Sequence, residues 1–456
     1  MLKKSGIDMC NGPLLPKLVL FALPLIATGL LQVFYNAADI IVVGKFAGDN
    51  ALAAVTSTSS LISLMVNLFL GLSTGVSAVV ALHLGARHTK KVHQSVHTSI
   101  VMGVIGGIFL MFVGLFLAEP LLRLMGVPDD TGASVLKQAA LYVRIYFLGM
   151  PFFLTYNFGA AVLRANGDTR RPLVFLAISG LVNVALNLVL VIVFHMGVAG
   201  VAIATTTSQV LSAVLLIRCL IKEKSLIRLI PSHLRLDFKM AGEILRLGLP
   251  SGIQSSLFAI SNVLIQSTVN SFGSYAMAGG GAAGNIESFA YTAMNAFYHA
   301  SLNFTAQNFG AKKFDRMVRS CRYSLLLVAI LGMVLGGGIV LFSEPLLRIY
   351  TNSPEAIRYG TMRVMATGIP YFFCGLMEVM TGHIRGMGYS IMPMLVSLIG
   401  ACGLRVVWIF TVFEAFPTFT VLFLSYPVTW CVTFLTHVIC AKIVRKKTMM
   451  KLNTSE

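Results

Sequence analysis

Glu119-Pro120-Leu121-Leu122-Arg123 returns 225 residues later as Glu344-Pro345-Leu346-Leu347-Arg348. The same interval separates Leu84-Gly85-Ala86-Arg87 from Phe309-Gly310-Ala311-Lys312. Pro24 and Asn36 have counterparts at Pro250 and Asn262, and Arg164 and Pro172 have theirs at Arg385 and Pro393. A nearly constant interval kept across the whole chain means two structural copies joined in tandem. In a strongly apolar sequence, such duplication is the mark of secondary transporters, whose substrate lies between the repeats.

The chain is 56% hydrophobic and 11% charged, with mean hydropathy +0.82. Soluble globular chains carry roughly 25% charged residues. The runs 98–118, 173–194 and 324–342 approach or exceed the ~18–20 residues that cross a hydrocarbon core. Twelve hydrophobic helices are expected, near 15–43, 52–82, 95–118, 136–162, 173–194, 197–220, 244–270, 276–307, 316–342, 357–384, 391–412 and 417–441. Six per copy return the chain to its starting side, so the two copies are parallel repeats. The fold class is therefore all-α polytopic membrane protein, twelve transmembrane helices in two parallel six-helix repeats. Residues 1–221 form an N-terminal bundle, 222–243 a basic cytoplasmic linker containing Pro231, and 244–456 a C-terminal bundle. The segments 119–136 and 344–357, ending near Pro128 and Pro354, read as the longer outer loops.

Most of the 35 Lys and Arg residues fall in alternate loops and at both ends. By the positive-inside rule this places both termini in the cytoplasm of a bacterial cell, the chain being integral to its plasma membrane. The formal net charge of +18 follows from that bias and from contact with anionic membrane lipid. A nucleic-acid role would need a basic soluble module, and the sequence has none. Lys3 and Lys4 before an apolar stretch imitate a signal peptide, but no small-residue cleavage site follows, so the first helix is expected to stay. The seven cysteines are odd in number, scattered and without Cys-x-x-Cys, which points to neither disulfides nor a metal cluster. No cofactor is expected. There is no Gly-x-x-x-x-Gly-Lys-[Ser/Thr] loop, so an ion gradient, rather than ATP bound by this chain, is the expected energy source. Gly279 to Gly284 fits Gly-x-Gly-x-x-Gly, yet it follows no strand. It reads as close helix packing, not dinucleotide binding.

Three carboxylates look intramembrane: Asp39, Glu287 and Glu378. An acidic residue at the centre of a membrane helix costs about 2.5–3.5 kcal/mol on insertion scales and is rarely incidental. Deprived of water, a carboxylate holds a proton more readily; kept ionised, it attracts Na⁺ or a cationic substrate. Gln32, Tyr35, Asn36 and Asp39 share one face of the first helix at a spacing of three to four residues. The plainer alternative is that Asp39 meets water near a helix end. Glu287, Tyr291, Met294 and Tyr298 form a second stripe, suited to an organic cation by charge and cation–π attraction, with Met adapting to shape. Aromatic stripes more often simply pack. Glu378 either faces substrate or pairs with Arg385 or Arg405; Arg405 is deep enough to need a partner, with Glu378 the first candidate. Asn183 and Asn187 share a face of helix 5, Thr205 and Gln209 one of helix 6. Each pair equally fits interhelical hydrogen bonding. His83, His88, His93 and His97 cluster around the 2–3 loop and read as surface residues.

With these residues in place, the chain resembles the multidrug and toxic compound extrusion (MATE) family over essentially its full length. The features that carry the resemblance are the duplicated twelve-helix plan, Pro24…Asp39, Gly71-x3-Gly75-x-Ser77…Gly85-Ala86, Arg164-Ala-Asn-Gly-Asp168 and Gly197-Val-Ala-Gly-Val-Ala-Ile-Ala-Thr205. The resemblance implies two six-helix bundles and export of cationic drugs driven by inward H⁺ or Na⁺. Asp39 matches the family's acidic position in the first helix, where cation binding is expected. Asn183 and Thr205 match polar positions of the ion pocket in some members. Where Asn187 stands, many relatives have Asp. A Glu near Phe258 and an Asp near Cys374, found in one branch, are absent; Glu287 and Glu378 are their expected substitutes.

The expectation is thus a cation-coupled multidrug antiporter, not an enzyme, acting as a monomer. Ion coupling is assigned to Asp39 (Na⁺ or H⁺), Asn183, Asn187 and Thr205. Substrate contact is assigned to Gln32, Tyr35, Asn36, Glu287, Tyr291, Met294, Tyr298 and Glu378. A flippase of lipid-linked oligosaccharide is the alternative; it calls for a cationic cavity and often fourteen helices.

Overall fold

The structure, a computed structural model, describes residues 6–127 and 135–453; Lys3, Lys4 and Pro128 lie outside them. Twelve helical spans occur among the described residues, and no strand. In the first half they are α1 (Leu14–Phe46), α2 (Asp49–Gly85), α3 (Thr89–Leu124), α4 (Val135–Leu148 with Met150–Ala165), α5 (Arg170–Leu188 running on through Val189–Val193) and α6 (Gly197–Lys222). In the second they are α7 (Phe238–Asn270), α8 (Ser274–Gly310), α9 (Phe314–Leu341), α10 (Pro354–Thr367 with Phe372–Gly386), α11 (Ile391–Phe413) and α12 (Phe419–Asn453). Length and apolar composition alone single out eight of these as membrane-crossing, and ten once the bent α4 and α10 are each taken as one span. α7 and α8 fall short because Ser, Gln, Asn and Gly dilute them.

The duplication survives in the backbone details. α4 bends by 48° at Gly149, just before Pro151, and α10 by 49° around Gly368 and Pro370. At each bend the proline removes one helical hydrogen bond, which permits the turn. α5 and α11 both end in π-helical turns, Val189–Val193 and Ile409–Phe413. Arg87 and Lys312 close α2 and α8 in the left-handed region at the same φ of 55°, and Gly167 and Gly388 take φ of 85° and 88°. Conformations uncommon for non-glycine residues recur at corresponding sites, so the copies share a fold and not only a motif.

The Glu-Pro-Leu-Leu-Arg segments are not loops. Residues 119–124 are the last turns of α3, and Ser343–Arg348 is a short helix of its own. Pro345 sits in the first turn, where its missing N–H would be unsatisfied in any case. Glu119–Arg123 and Glu344–Arg348 pair along the helix surface. α6 ends at Lys222 and α7 begins at Phe238, leaving residues 223–237 between the halves.

Two compact units result. One comprises Ala27–Gly252 with the start of the chain through Ile7; the other comprises Asp8–Ile26 and Ile253–Glu456. Within the first, α2 lies directly on the opening turns of α7: a Cβ on Gly71 would strike the backbone of Gly252, and one on Gly75 would come within 2.6 Å of the Gly248 nitrogen. Small residues let membrane helices pack at this distance, where dispersion and weak polar contacts replace the hydrophobic effect. The first unit's core joins Leu110, Ala118 and Leu122 of α3 to Val143, Phe147, Met150 and Leu154 of α4 and to Val198 and Val201 of α6. The second unit's core gathers Met294, Phe297, Val328, Tyr371, Cys374, Met377 and Trp430. Large apolar side chains also cover outward faces, Phe109, Phe112 and Phe116 of α3 among them. Such a surface belongs in hydrocarbon.

Candidate functional site

Four residues from three helices of the first unit meet at Asp39. The four-residue spacing of Asn183 and Asn187 puts both amides on one face of α5, and Thr205 comes from α6. The Asn187 amide donates to Asp39 Oδ1 and lies 3.4 Å from Asn183 Oδ1. Asn183 Nδ2 is 3.4 Å from Thr205 Oγ1; turning that amide over brings its nitrogen to 3.0 Å from Asp39 Oδ1 instead. The Thr205 hydroxyl donates to Val201 O at 3.0 Å. Both asparagines are buried. Among the described residues no Lys or Arg bears on Asp39, and the Asn187 Oδ1 is buried with no hydrogen-bond partner. Gln209 Oε1, one turn along α6 from Thr205, is likewise unpartnered. A carboxylate ringed by neutral groups, beside acceptors short of a donor, is arranged to receive a proton or a small hard cation.

The rest of the α1 stripe behaves differently. Gln32 and Asn36 are exposed. Tyr35 is half-buried; its hydroxyl donates to Ala177 O at 3.2 Å and its ring fills the space over Gly180.

In the second unit, Glu287 faces a partner that the sequence reading did not assign. Arg363 of α10 donates to it through Nη2 at 2.7 Å and Nε at 3.2 Å, and the Thr367 hydroxyl donates at 2.6 Å. Arg363 also donates to Gly280 O at 2.9 Å and lies 4.7 Å from the centre of the Phe423 ring. Gly284 leaves room for the guanidinium, since a Cβ there would sit 3.1 Å from it. The Gly279–Gly284 run is thus a packing surface for α10. Arg363, the deeper of the two arginines in the stretch 357–384, was the signal that a carboxylate must face it.

Beyond Glu287 the second stripe turns inward. Met294 belongs to the core between α8, α9 and α10, and Tyr298 is buried, accepting from Arg385 Nη1 at 2.8 Å; only Tyr291 is exposed. Arg385 Nη2 donates to Gln254 Oε1 at 2.8 Å. Glu378 is buried and has no hydrogen bond among the described residues; the charge that bears on it is Arg385. The expected pairing of Glu378 with Arg405 does not form. Arg405 instead lies 4.0 Å from the Tyr426 ring centre and donates to Thr429 Oγ1 at 3.3 Å, cation–π attraction taking the place of a counter-ion.

The histidine cluster also departs from expectation. His83 and His97 are buried, not superficial. His83 Nε2 is 3.0 Å from Glu243, and His97 spans His93 O at 2.7 Å and the Ile230 amide at 3.0 Å. The segment between the halves folds onto the His97 and His93 rings, through Ile230 and His233.

Duplicated, bent and polar-lined in this manner, the molecule is an integral membrane protein of the transporter class. The MatE family model matches residues 24–189 and again 250–411, one match per repeat, and the chain belongs to this family of multidrug and toxic compound extrusion transporters. It is 28% identical to the probable multidrug resistance protein YoeA of Bacillus subtilis, over 85% of this chain and 84% of that one. It is 29% identical to the probable multidrug resistance protein YpnP of the same organism, over 88% and 89%. Among solved structures, an outward-facing multidrug resistance MATE transporter of the MOP superfamily superposes with a TM-score of 0.89 at 19% identity, covering 97% of this chain and 99% of that one.

Proposed function

We propose that the protein exports organic, chiefly cationic, compounds in exchange for inward H⁺ or Na⁺ by alternating access. The arrangement at Asp39 carries this reading: a membrane carboxylate held by neutral amides, without a cationic side chain, beside the orphaned Asn187 Oδ1. Such a site is incomplete until a cation or proton enters, and its occupancy can bias a two-state element. Asp39 is the coupling group; Asn183, Asn187 and Thr205 orient it. α1 carries Pro24, so a change at Asp39 can act on a helix already able to bend.

Gln32, Tyr35 and Asn36 on the same helix contact the cargo. Tyr291 and Glu378 are the second unit's accessible aromatic and its unpaired carboxylate. Glu287, Met294 and Tyr298 support that surface from behind, Glu287 being committed to Arg363. The bundles 1–221 and 244–456, joined by 222–243, move as the two bodies, with both termini in the cytoplasm of a bacterial cell, and the monomer suffices. The names of the Bacillus relatives support a drug-like cargo.

The test is efflux of a lipophilic cationic dye from proteoliposomes under a proton gradient alone and a sodium gradient alone. One gradient drives efflux in the unmodified protein and neither does in Asp39→Asn. Efflux independent of both gradients, or full efflux by Asp39→Asn, overturns the reading.

A further inference from the structure

The segment between the halves closes over α3 and leaves a pocket of about 310 Å³ lined by His93, His97, Thr98, Ser232, His233 and Arg235. Gln94, Leu234 and Asp237 complete its wall. All belong to the first unit, and none is Asp39 or one of its partners.

We propose that this pocket binds the phosphate of an anionic phospholipid headgroup. Three sets of observations lead there. First, the donors are unspent. The ring nitrogens of His93 and His233 and the guanidinium of Arg235 make no hydrogen bond or ion pair among the described residues. The three imidazoles are gathered together, His93 stacked on His97 at 4.1 Å and edge-on to His233 at 5.7 Å. Imidazole N–H, a guanidinium and the Ser232 hydroxyl are the donors that phosphate oxygens accept from.

Second, the one acid in the wall is already engaged. Asp237 Oδ1 accepts from the Lys239 and Met240 amides, capping α7, and Oδ2 accepts from Gln94 Nε2 at 2.9 Å. A metal ion is a poor occupant by comparison. His97 donates from Nδ1 to His93 O and accepts the Ile230 amide at Nε2, so neither nitrogen is free to ligate.

Third, the chain flanking the pocket on either side suits a membrane surface. Leu226, Leu234 and Phe238 are exposed, Phe238 by 81%, and alternate with exposed Arg228, Arg235 and Lys239. Apolar side chains interleaved with basic ones lie at the headgroup boundary, where each cation near an anionic leaflet contributes about 1 kcal/mol. An acyl chain beside Phe238 and Leu234 would leave its phosphate at the mouth of the pocket. Free phosphate would use the same donors but not the apolar flanks.

The experiment is native mass spectrometry of the full chain released from nanodiscs of equal phosphatidylglycerol and phosphatidylcholine, with and without millimolar inorganic phosphate. The expected result is selective retention of phosphatidylglycerol, reduced about tenfold in Arg235→Gln with His233→Ala, the scale of losing charge-assisted hydrogen bonds. Equal melting temperatures confirm that the variants fold, and Lys446→Gln, in the basic C-terminal helix, leaves retention unchanged. Equal retention of both lipids, or retention unaffected by the double variant, overturns the proposal. So does complete displacement of the lipid by inorganic phosphate, which would assign the pocket to the free anion.

Discussion

Arg363 holds Glu287 through two nitrogens, at 2.7 and 3.2 Å, inside the second unit. The pair satisfies both charges in a buried position, so each partner is worth much less alone than with the other. Arg363→Met leaves a buried carboxylate whose one remaining donor among the described residues is Thr367. Removing one partner of a buried ion pair typically costs about 3–5 kcal/mol, whereas apolar replacement of both is often neutral. Thermal unfolding in detergent should therefore rank Arg363→Met well below Arg363→Met combined with Glu287→Leu. Additive losses would show that the pair is not coupled.

At the Asp39 site, Asn187→Ala removes the amide that donates to the carboxylate. A hydrogen bond to a charged group contributes about 1.5–3 kcal/mol, so the half-maximal ion concentration for transport should rise about 10–100-fold while maximal efflux is largely retained. Asp39→Asn should abolish coupled efflux outright. Identical ion dependence in Asn187→Ala and the parent would remove Asn187 from the site.

Gly71 and Gly252 pack backbone to backbone where α2 meets α7. Gly252→Leu has no rotamer that avoids Leu68 and the α2 main chain. Overpacking of this kind costs about 1–3 kcal/mol, read as a lowered melting temperature. Gly281→Ala, whose added Cβ meets nothing within 4 Å, is the control and should melt as the parent does.

Stability at low pH should depend on Glu223, just past the end of α6. Partial burial pushes its carboxyl up, but the Arg171 hydrogen bond and charge, with the Lys224 and Ser225 amides, outweigh it and hold it below the usual carboxylate range. A group depressed on folding contributes above its unfolded pKa of ~4.3 and loses that contribution as pH falls through the folded value. The melting temperature should fall below about pH 4 in the parent and more shallowly in Glu223→Gln. Parallel pH profiles would contradict this.

Much of the architecture could be read from periodicity. A stretch such as 98–118 is long and apolar enough to cross a bilayer whatever its neighbours are, and the recurring Glu-Pro-Leu-Leu-Arg already implied two copies, although its segments are helical and not the loops expected. Asp39, Asn183, Asn187 and Thr205 were also visible, because each interrupts an apolar run on one helical face. Arg363 stood equally plain in its own helix. What escaped was its pairing, since Glu287 is 76 residues away and no local rule links α8 to α10.

The chain alone thus determined the number of spans, their doubling and the cost of every polar group placed among them, because helix formation and partition into hydrocarbon act on consecutive residues. Only the tertiary structure decided which buried charges neutralise each other. It left Asp39 among neutral amides, gave Glu287 to Arg363, turned Arg405 onto Tyr426 and folded the 223–237 segment over His97. Those outcomes depend on distances of a few ångströms between helices remote in sequence, and electrostatic and hydrogen-bond energies change steeply over that range.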